Sequence, residues 1–252
     1  MFRKIATCIA LTAALASAQP KVADILVSLD TQSKMNDDIK AHVALTQQKT
    51  GQGAKKLEMT YYRRDSDQSF LIAMTAPENE KGNGYLRTND NFWMYRRNTR
   101  TFQHINRDEA VGGSDAHGDD FETRNLAELY GAALDKDGKE IIAADKLGEI
   151  PVWRFEVKAT VKDVDYPKKI YWTRKDNNLI LKEQSFSSNG TLMQTGYYRK
   201  YTQMGGKYIP IQQIFMDEFE KGNKTVVEIS DLVLSRLDGT IFTKAYLENL
   251  SK

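Results

Sequence analysis

The densest group of potentially reactive side chains lies at residues 112–121, which read GGSDAHGDDF. Aspartate and histidine side chains this close together could bind Ca²⁺ or a transition metal. The spacing matches no calcium-binding loop, however, and the segment has a single histidine, His117. A structural role competes, because aspartates and serines in this pattern cap helices and shape turns. We expect no metal or cofactor, and interpret the following as lid or partner-contact residues: Gly113, Ser114, Asp115, Asp119 and Asp120.

Catalysis finds little support elsewhere in the chain. The sequence has no G-x-S-x-G motif, only three histidines, and one cysteine, Cys8, in the first 18 residues. A hydrolase that uses Asp115, His117 and Asp119 is the catalytic alternative. We interpret the protein as a non-enzyme.

The first 18 residues have the pattern of a cleavable signal peptide. Arg3 and Lys4 give a positive start, a short apolar run follows, and Ala16-Ser17-Ala18 supplies the small residues of a cleavage site. This pattern predicts export to the periplasm. Residues 19–252, which have no Pro/Gly/Ser linker, are predicted to form a single domain.

The charge balance of the exported part narrows the range of partners. Without Arg3 and Lys4 the basic residues equal the 34 acidic ones, so the net charge is near zero. A nucleic-acid-binding protein typically has a clear basic excess. We therefore expect no nucleic-acid partner. We also expect a monomer.

Apolar and polar residues alternate through most of the chain, in short segments that end at turn signals. Asn89-Asp90-Asn91, Asn189-Gly190 and Gly205-Gly206 are such signals, and there is no strand–helix–strand repeat. The pattern predicts a mainly β fold: a large curved antiparallel sheet or half-open barrel of about ten or eleven strands, with a two-sheet sandwich as the alternative. Residues 21–33 and 124–130 are predicted to be helices, and residues 240–250 a short element packed on the outside.

One predicted strand has aromatic side chains on both faces. Phe92 and Met94 lie on one face, and Trp93 and Tyr95 on the other. The apolar strand faces either line a cavity or fill a core. Methionines on the predicted inner faces suit a site for variable acyl chains, but they also fill ordinary cores. The five in question are Met59, Met74, Met94, Met193 and Met216.

The chain resembles the outer-membrane lipoprotein-sorting family related to the LolA periplasmic carrier. The resemblance depends on the strand GNGYL, the aromatic strand FWMY, the triplet Gly113-Ser114-Asp115 with the following DDF, and the ending IFTK with Tyr246-Leu247. It implies a half-open antiparallel barrel, closed by helical lid segments, whose apolar interior takes lipid acyl chains. It also favours a cavity over a solid core.

From this resemblance we expect a periplasmic carrier that moves a lipid or lipoprotein between membranes, with a membrane transporter or an outer-membrane acceptor as partner. A lipid-sensing regulatory module on the same fold is the alternative. The expected cavity residues are Leu57, Met59, Phe70, Ile72, Met74, Leu86, Trp93, Tyr95, Phe102 and Ile105.

Overall fold

The computed structural model describes residues 19–89, 91–106, 111, 125–162 and 164–251. Fourteen strands in these residues form one antiparallel sheet. Their bounds are β1 Asp38–Gln48, β2 Ala54–Arg64, β3 Ser69–Ala76, β4 Gly84–Thr88, β5 Asn91–Arg96, β6 Thr101–His104, β7 Tyr130–Ala132, β8 Ile142–Leu147, β9 Ile150–Ala159, β10 Lys168–Arg174, β11 Ile180–Phe186, β12 Leu192–Met204, β13 Lys207–Asp217 and β14 Lys224–Ser235. The helices are α1 Val22–Ser33, α2 Leu126–Leu129 and α3 Lys244–Leu250, and a 3₁₀ turn spans Gly239–Phe242.

Neighbouring strands in the sheet are mostly consecutive in the chain, and the main exception is the central pair of β1 and β14. The order of the sheet is β6-β5-β4-β3-β2-β1-β14-β13-β12-β11-β10-β9-β7, with β8 also paired to β9. Strands β1 and β14, the first and last of the described strands, are therefore neighbours in the middle of the sheet. Strands β6 and β7 lie at its two ends and do not pair with each other, so the sheet is open. The predicted fold class is confirmed.

The predicted strand count was too low. Fourteen strands exceed the ten or eleven expected, and two that the pattern did not reveal are β7, which has three residues, and β8, in which four successive residues are exposed. A strand without one buried face lacks the period-two apolar signal on which the prediction depended.

Helix α1 packs its apolar side on one face of the sheet, which we call the inner face. Val22, Ile25, Leu26 and Leu29 recur at helical spacing, and all four are buried. Their partners include Phe155 of β9 and further inner-face side chains of β9 and β10. The predicted N-terminal amphipathic helix is confirmed.

The opposite, outer face is covered at one end by the C-terminal residues. Phe242 of the 3₁₀ turn and Leu247 of α3 pack against Leu71, Leu86 and Tyr95. Ser251 fastens this segment, because its hydroxyl donates a 2.6 Å hydrogen bond to the carbonyl of Gly82. The predicted C-terminal element packed on the outside is confirmed.

Candidate functional site

A cavity of about 360 Å³ lies between the inner face of the sheet and the two helices α1 and α2. Strand β1 shows how the pleat builds it, since Ile39, Ala41 and Val43 alternate toward the cavity while the residues between them face away. The apolar part of its wall consists of Leu29, Ile39, Ala41, Val43, Leu126, Leu129, Leu179, Ile180, Ile209, Pro210, Phe215, Val227, Ile229 and Leu232.

The two helices that close the cavity are joined by one side chain. Asp30 of α1 accepts hydrogen bonds from the backbone amides of Leu126, at 2.6 Å, and Ala127, at 2.9 Å. These amides are at the start of α2, where no preceding turn can satisfy them. Partial burial raises the pKa of Asp30, an effect that the two amide hydrogen bonds oppose without overcoming it.

The C-terminal end of α1 is fixed to the sheet by charged side chains. Lys207 donates a 2.6 Å hydrogen bond to the carbonyl of Thr31. Arg63 donates to the carbonyl of Ser33 at 2.8 Å and to the Asp65 carboxylate at 2.7 Å. Helix α1 is thus held at a fixed height above strands β2 and β13, which keeps the space beneath it open.

Tyrosines form much of the remaining wall. They are Tyr61, Tyr130, Tyr166, Tyr171, Tyr198, Tyr201 and Tyr208. Tyr201 donates its hydroxyl to the carbonyl of Ile180 at 2.6 Å, and Tyr130 donates to the carbonyl of Tyr166 at 3.0 Å. Because these hydroxyls bond within the protein, the rings supply apolar contact area to the cavity.

Tyrosine is uncharged at physiological pH, and burial disfavours the ionised form of three of these phenols further. Burial raises the pKa of Tyr61, Tyr171 and Tyr201 well above the ordinary value for tyrosine. The cavity therefore has a neutral aromatic lining at physiological pH.

Among the residues that the structure describes, Lys169 and Glu183 form an ion pair whose two members both line the cavity. The Lys169 Nζ lies 3.7 Å from the Glu183 Oε2. Tyr198 donates a 3.2 Å hydrogen bond to the Glu183 Oε1. The site thus combines a large apolar surface with a localised pair of opposite charges.

The ten residues expected from the sequence to line a cavity are not among those that line this one. Six belong to a buried cluster on the inner face, which includes the cavity-lining side chains of Val43, Tyr61, Phe215 and Val227. These six are Leu57, Met59, Phe70, Ile72, Met74 and Ile105. They pack next to the cavity as a solid core.

The other four lie on the outer face. Leu86, Trp93, Tyr95 and Phe102 belong to the cluster that the C-terminal residues cover. The Lys244 Nζ lies 3.1 Å from the centroid of the Trp93 ring. The strand with aromatics on both faces is thus explained by two buried surfaces, one facing the core and one facing α3.

The loop residues Gly113, Ser114, Asp115, Asp119 and Asp120, together with His117, lie outside the described residues. Within the described ranges, no three His, Cys, Asp or Glu side chains come together in a way that could hold a metal. None of the helices described has both the length and the apolar character needed to cross a membrane.

Sequence reasoning missed the tyrosines and the helix α2 leucines of the cavity. Methionine was taken as the sign of an adaptable site, but none of the methionines that the structure describes lines the cavity. The alternation of side chains along β10 was a usable signal, because it places Lys169 and Tyr171 on the same face of the strand. Both residues line the cavity. Alternation shows that a strand has two apolar faces, but it does not show which face packs against a helix. That depends on the tertiary structure.

Comparison with protein families gives one match over most of the chain. A family model described as "uncharacterized protein" matches residues 66–249. A search of curated proteins gives no match.

Comparison with solved structures identifies the fold. A LolA superfamily protein from Nitrosomonas europaea has a TM-score of 0.74 and 18% identity, over 90% of this chain and 100% of that one. A candidate outer membrane lipoprotein-sorting protein domain from Vibrio parahaemolyticus has a TM-score of 0.76 and 18% identity, over 90% and 97%. A DUF1329 family protein from Desulfovibrio piger has a TM-score of 0.78 and 18% identity, over 89% and 97%. At this identity the likeness concerns the fold.

Proposed function

Because this chain belongs to the uncharacterized-protein family that it matches and has the fold of the LolA superfamily, we propose that it is a carrier of acyl chains. It binds an acyl chain of a lipid or lipoprotein between the sheet and helices α1 and α2, and moves it between membranes. The signal-peptide pattern of residues 1–18 supports a periplasmic location.

The observation that supports this function most is the cavity itself. Its volume of about 360 Å³ falls in the range of small-molecule sites, roughly 300–1,000 Å³. Burying a methylene group contributes about 0.8 kcal/mol, so about ten methylenes contribute on the order of 8 kcal/mol before the loss of ligand freedom is subtracted. An acyl chain therefore has a sufficient driving force to bind.

Binding rather than catalysis fits the polar groups around the cavity. Arg63 bonds to Asp65 and to the end of α1, and the hydroxyls of Tyr130 and Tyr201 bond to backbone carbonyls. These groups hold the walls in place, which is a structural task.

The six inner-face residues of the adjoining core extend the proposed site. Met59 pairs with Val43 across β1 and β2, and Val43 lines the cavity. Movement of these side chains would lengthen the space for a longer chain, and methionine is well suited to such rearrangement. Leu57, Met59, Phe70, Ile72, Met74 and Ile105 thus remain proposed ligand contacts.

The experiment is mass spectrometry of the organic extract from protein purified gently from the periplasmic fraction. We expect a stoichiometric acylated species. Leu232→Glu should abolish its recovery, because Leu232 lines the cavity, whereas Val233→Glu should not, because Val233 faces away and is 49% exposed. A folded wild-type protein free of lipid would contradict the proposal.

Transfer to acceptor vesicles separates the carrier from the regulatory alternative. A carrier releases the bound lipid to acceptor membranes at a rate that depends on the acceptor. Retention of the lipid with a changed affinity for a partner protein would instead indicate a lipid-sensing module.

A further inference from the structure

The Lys169–Glu183 pair is an unusual component of an apolar cavity. Its side chains are only 18% and 9% exposed. Removing two charges from water costs several kcal/mol, and well-packed apolar residues in their place are often at least as stable. The pair is therefore a candidate for a role other than stability.

The sheet makes specific room for this carboxylate. Gly196 of β12 lies directly opposite Glu183 in the sheet. Because glycine has no side chain, the space beside the Glu183 side chain is left open. A Cβ at Gly196 would lie 3.1 Å from the Glu183 Cγ and 3.2 Å from its Oε1. Tyr198, two residues further along β12, donates to the same oxygen and orients the carboxylate.

The spacing of the two charges allows one further atom to contact both. At 3.7 Å, the Lys169 Nζ and the Glu183 Oε2 are too far apart for a charge-assisted hydrogen bond, which is typically about 2.7–2.9 Å. An oxygen about 2.8 Å from each would accept from the ammonium group and, if it carries a hydrogen, donate to the carboxylate. A hydroxyl group meets both requirements at once.

The charges around this position disfavour an anion. Asp165 also lines the cavity, so its wall contains a second carboxylate side chain besides that of Glu183. The other cationic side chain of the wall, Arg63, is hydrogen-bonded to Asp65. A carboxylate or phosphate head group would be repelled by Glu183 and would have no hydrogen to donate to it.

We propose that Lys169 and Glu183 form a head-group site, which selects acyl ligands with an uncharged, hydroxyl-bearing head over ligands with an anionic head. The inference rests on the proposed acyl-chain function, because it assumes that the chain occupies the apolar part of the same cavity. A monoacylglycerol has the required chemistry.

The test compares three probes with the same chain: monopalmitoylglycerol, palmitate and methyl palmitate. Each probe displaces a fluorescent apolar dye from the full exported chain. We expect monopalmitoylglycerol to bind about 10-fold more tightly than the other two, which corresponds to about 1.4 kcal/mol for the added hydrogen bonds.

Matched variants locate the effect. Lys169→Met and Glu183→Gln should each remove the 10-fold preference, so that the ratio of monopalmitoylglycerol affinity to methyl palmitate affinity falls to about one. Lys168→Met is the control, because Lys168 is on the outer face and pairs with Glu156 at 2.9 Å. The double variant Lys169→Met/Glu183→Leu replaces the whole pair with apolar side chains, so it keeps the test valid if a single variant does not fold.

Three outcomes would overturn the inference. Equal affinity for the three probes in the wild type removes the selectivity, and a preference for palmitate makes the site an anion site. An unchanged preference in the folded variants places the selectivity elsewhere. If no probe displaces the dye or binds directly, the acyl-chain function fails as well, and that result is distinct from the other three.

Discussion

The carboxylate of Asp30 lies 2.6 Å from the backbone nitrogen of Leu126 and accepts its hydrogen bond. The two residues belong to different helices and are 96 positions apart in the chain. The same carboxylate also accepts from the amide of Ala127. The Asp30 side chain thus adds two hydrogen bonds to the apolar packing by which Leu126 and Leu129 of α2 meet the α1 cluster, and both leucines lie in the cavity wall.

Asp30→Ala should loosen α2 without unfolding the sheet. Loss of a side-chain cap costs about 1 kcal/mol, and the amides of Leu126 and Ala127 would become unsatisfied. Hydrogen exchange should show faster exchange at these two amides, with a decrease of about 1 kcal/mol in the free energy of unfolding. Asp24→Ala on the exposed side of α1 is the control, with an expected change below about 0.5 kcal/mol. Unchanged exchange at both amides would contradict the link.

The pH dependence of the same link follows from the raised pKa of Asp30. The folded state binds this proton more tightly than the unfolded state, so the stability contribution of Asp30 falls as pH rises above about 3.9, the ordinary value for aspartate. Asp30→Asn does not titrate in this window. Urea unfolding at a series of pH values should show wild type losing stability relative to Asp30→Asn between about pH 3.9 and neutrality. The opposite slope would mean that the two amides outweigh burial.

Gly84→Ala should separate the C-terminal segment from the outer face. A Cβ at this position would lie 2.5 Å from the backbone oxygen of Ile72 and 2.6 Å from the Leu247 Cδ1. Because the backbone of β3 cannot move aside, we expect a loss of about 1–3 kcal/mol in urea unfolding. Gly53→Ala is the matched control, since nothing lies within 4 Å of its added Cβ. Equal stability of the two variants would show that α3 is not closely packed there.

Met59→Ala should change the chain-length preference of the cavity. Met59 is fully buried beside the cavity, so its truncation opens space that a longer acyl chain can fill, at a cost of about 2–5 kcal/mol in stability. Dye displacement with a series of fatty alcohols should show the optimum moving to longer chains. Leu71→Ala creates a hole of similar type on the outer face and should leave the optimum unchanged. The same shift in both variants would indicate general loosening.

The fold was predictable from the sequence because most strands have a buried face and end at strong turn signals. The alternation at Phe92–Tyr95 correctly assigns neighbouring side chains to opposite faces of the sheet. Phe92 is buried in the inner-face cluster and Tyr95 in the outer-face cluster. Strand β8 was missed because most of its residues are exposed, so no alternation marks it.

The candidate site was harder to predict than the fold. Trp93 and Met59 are equally apolar in sequence, but one is covered by the C-terminal residues and the other belongs to the inner core. The cavity exists because α1 lies over β2 and β13, held by bonds such as that from Lys207 to Thr31 across 176 positions. Contacts of such long range leave no local pattern in the sequence.

The central pairing of β1 with β14 has a consequence for how the chain folds. The register runs from Asp38 opposite Ser235 to Gln48 opposite Lys224, so the middle of the sheet joins segments nearly 200 residues apart. Non-local pairing of this kind slows folding, because the entropy of closing a long loop is lost before the contacts form. A chain that emerges N-terminus first therefore holds β1 with one free edge until its last strand arrives. During that interval the unpaired edge of β1 can pair with a wrong strand. The interval ends only when β14, which extends to Ser235, has been synthesised.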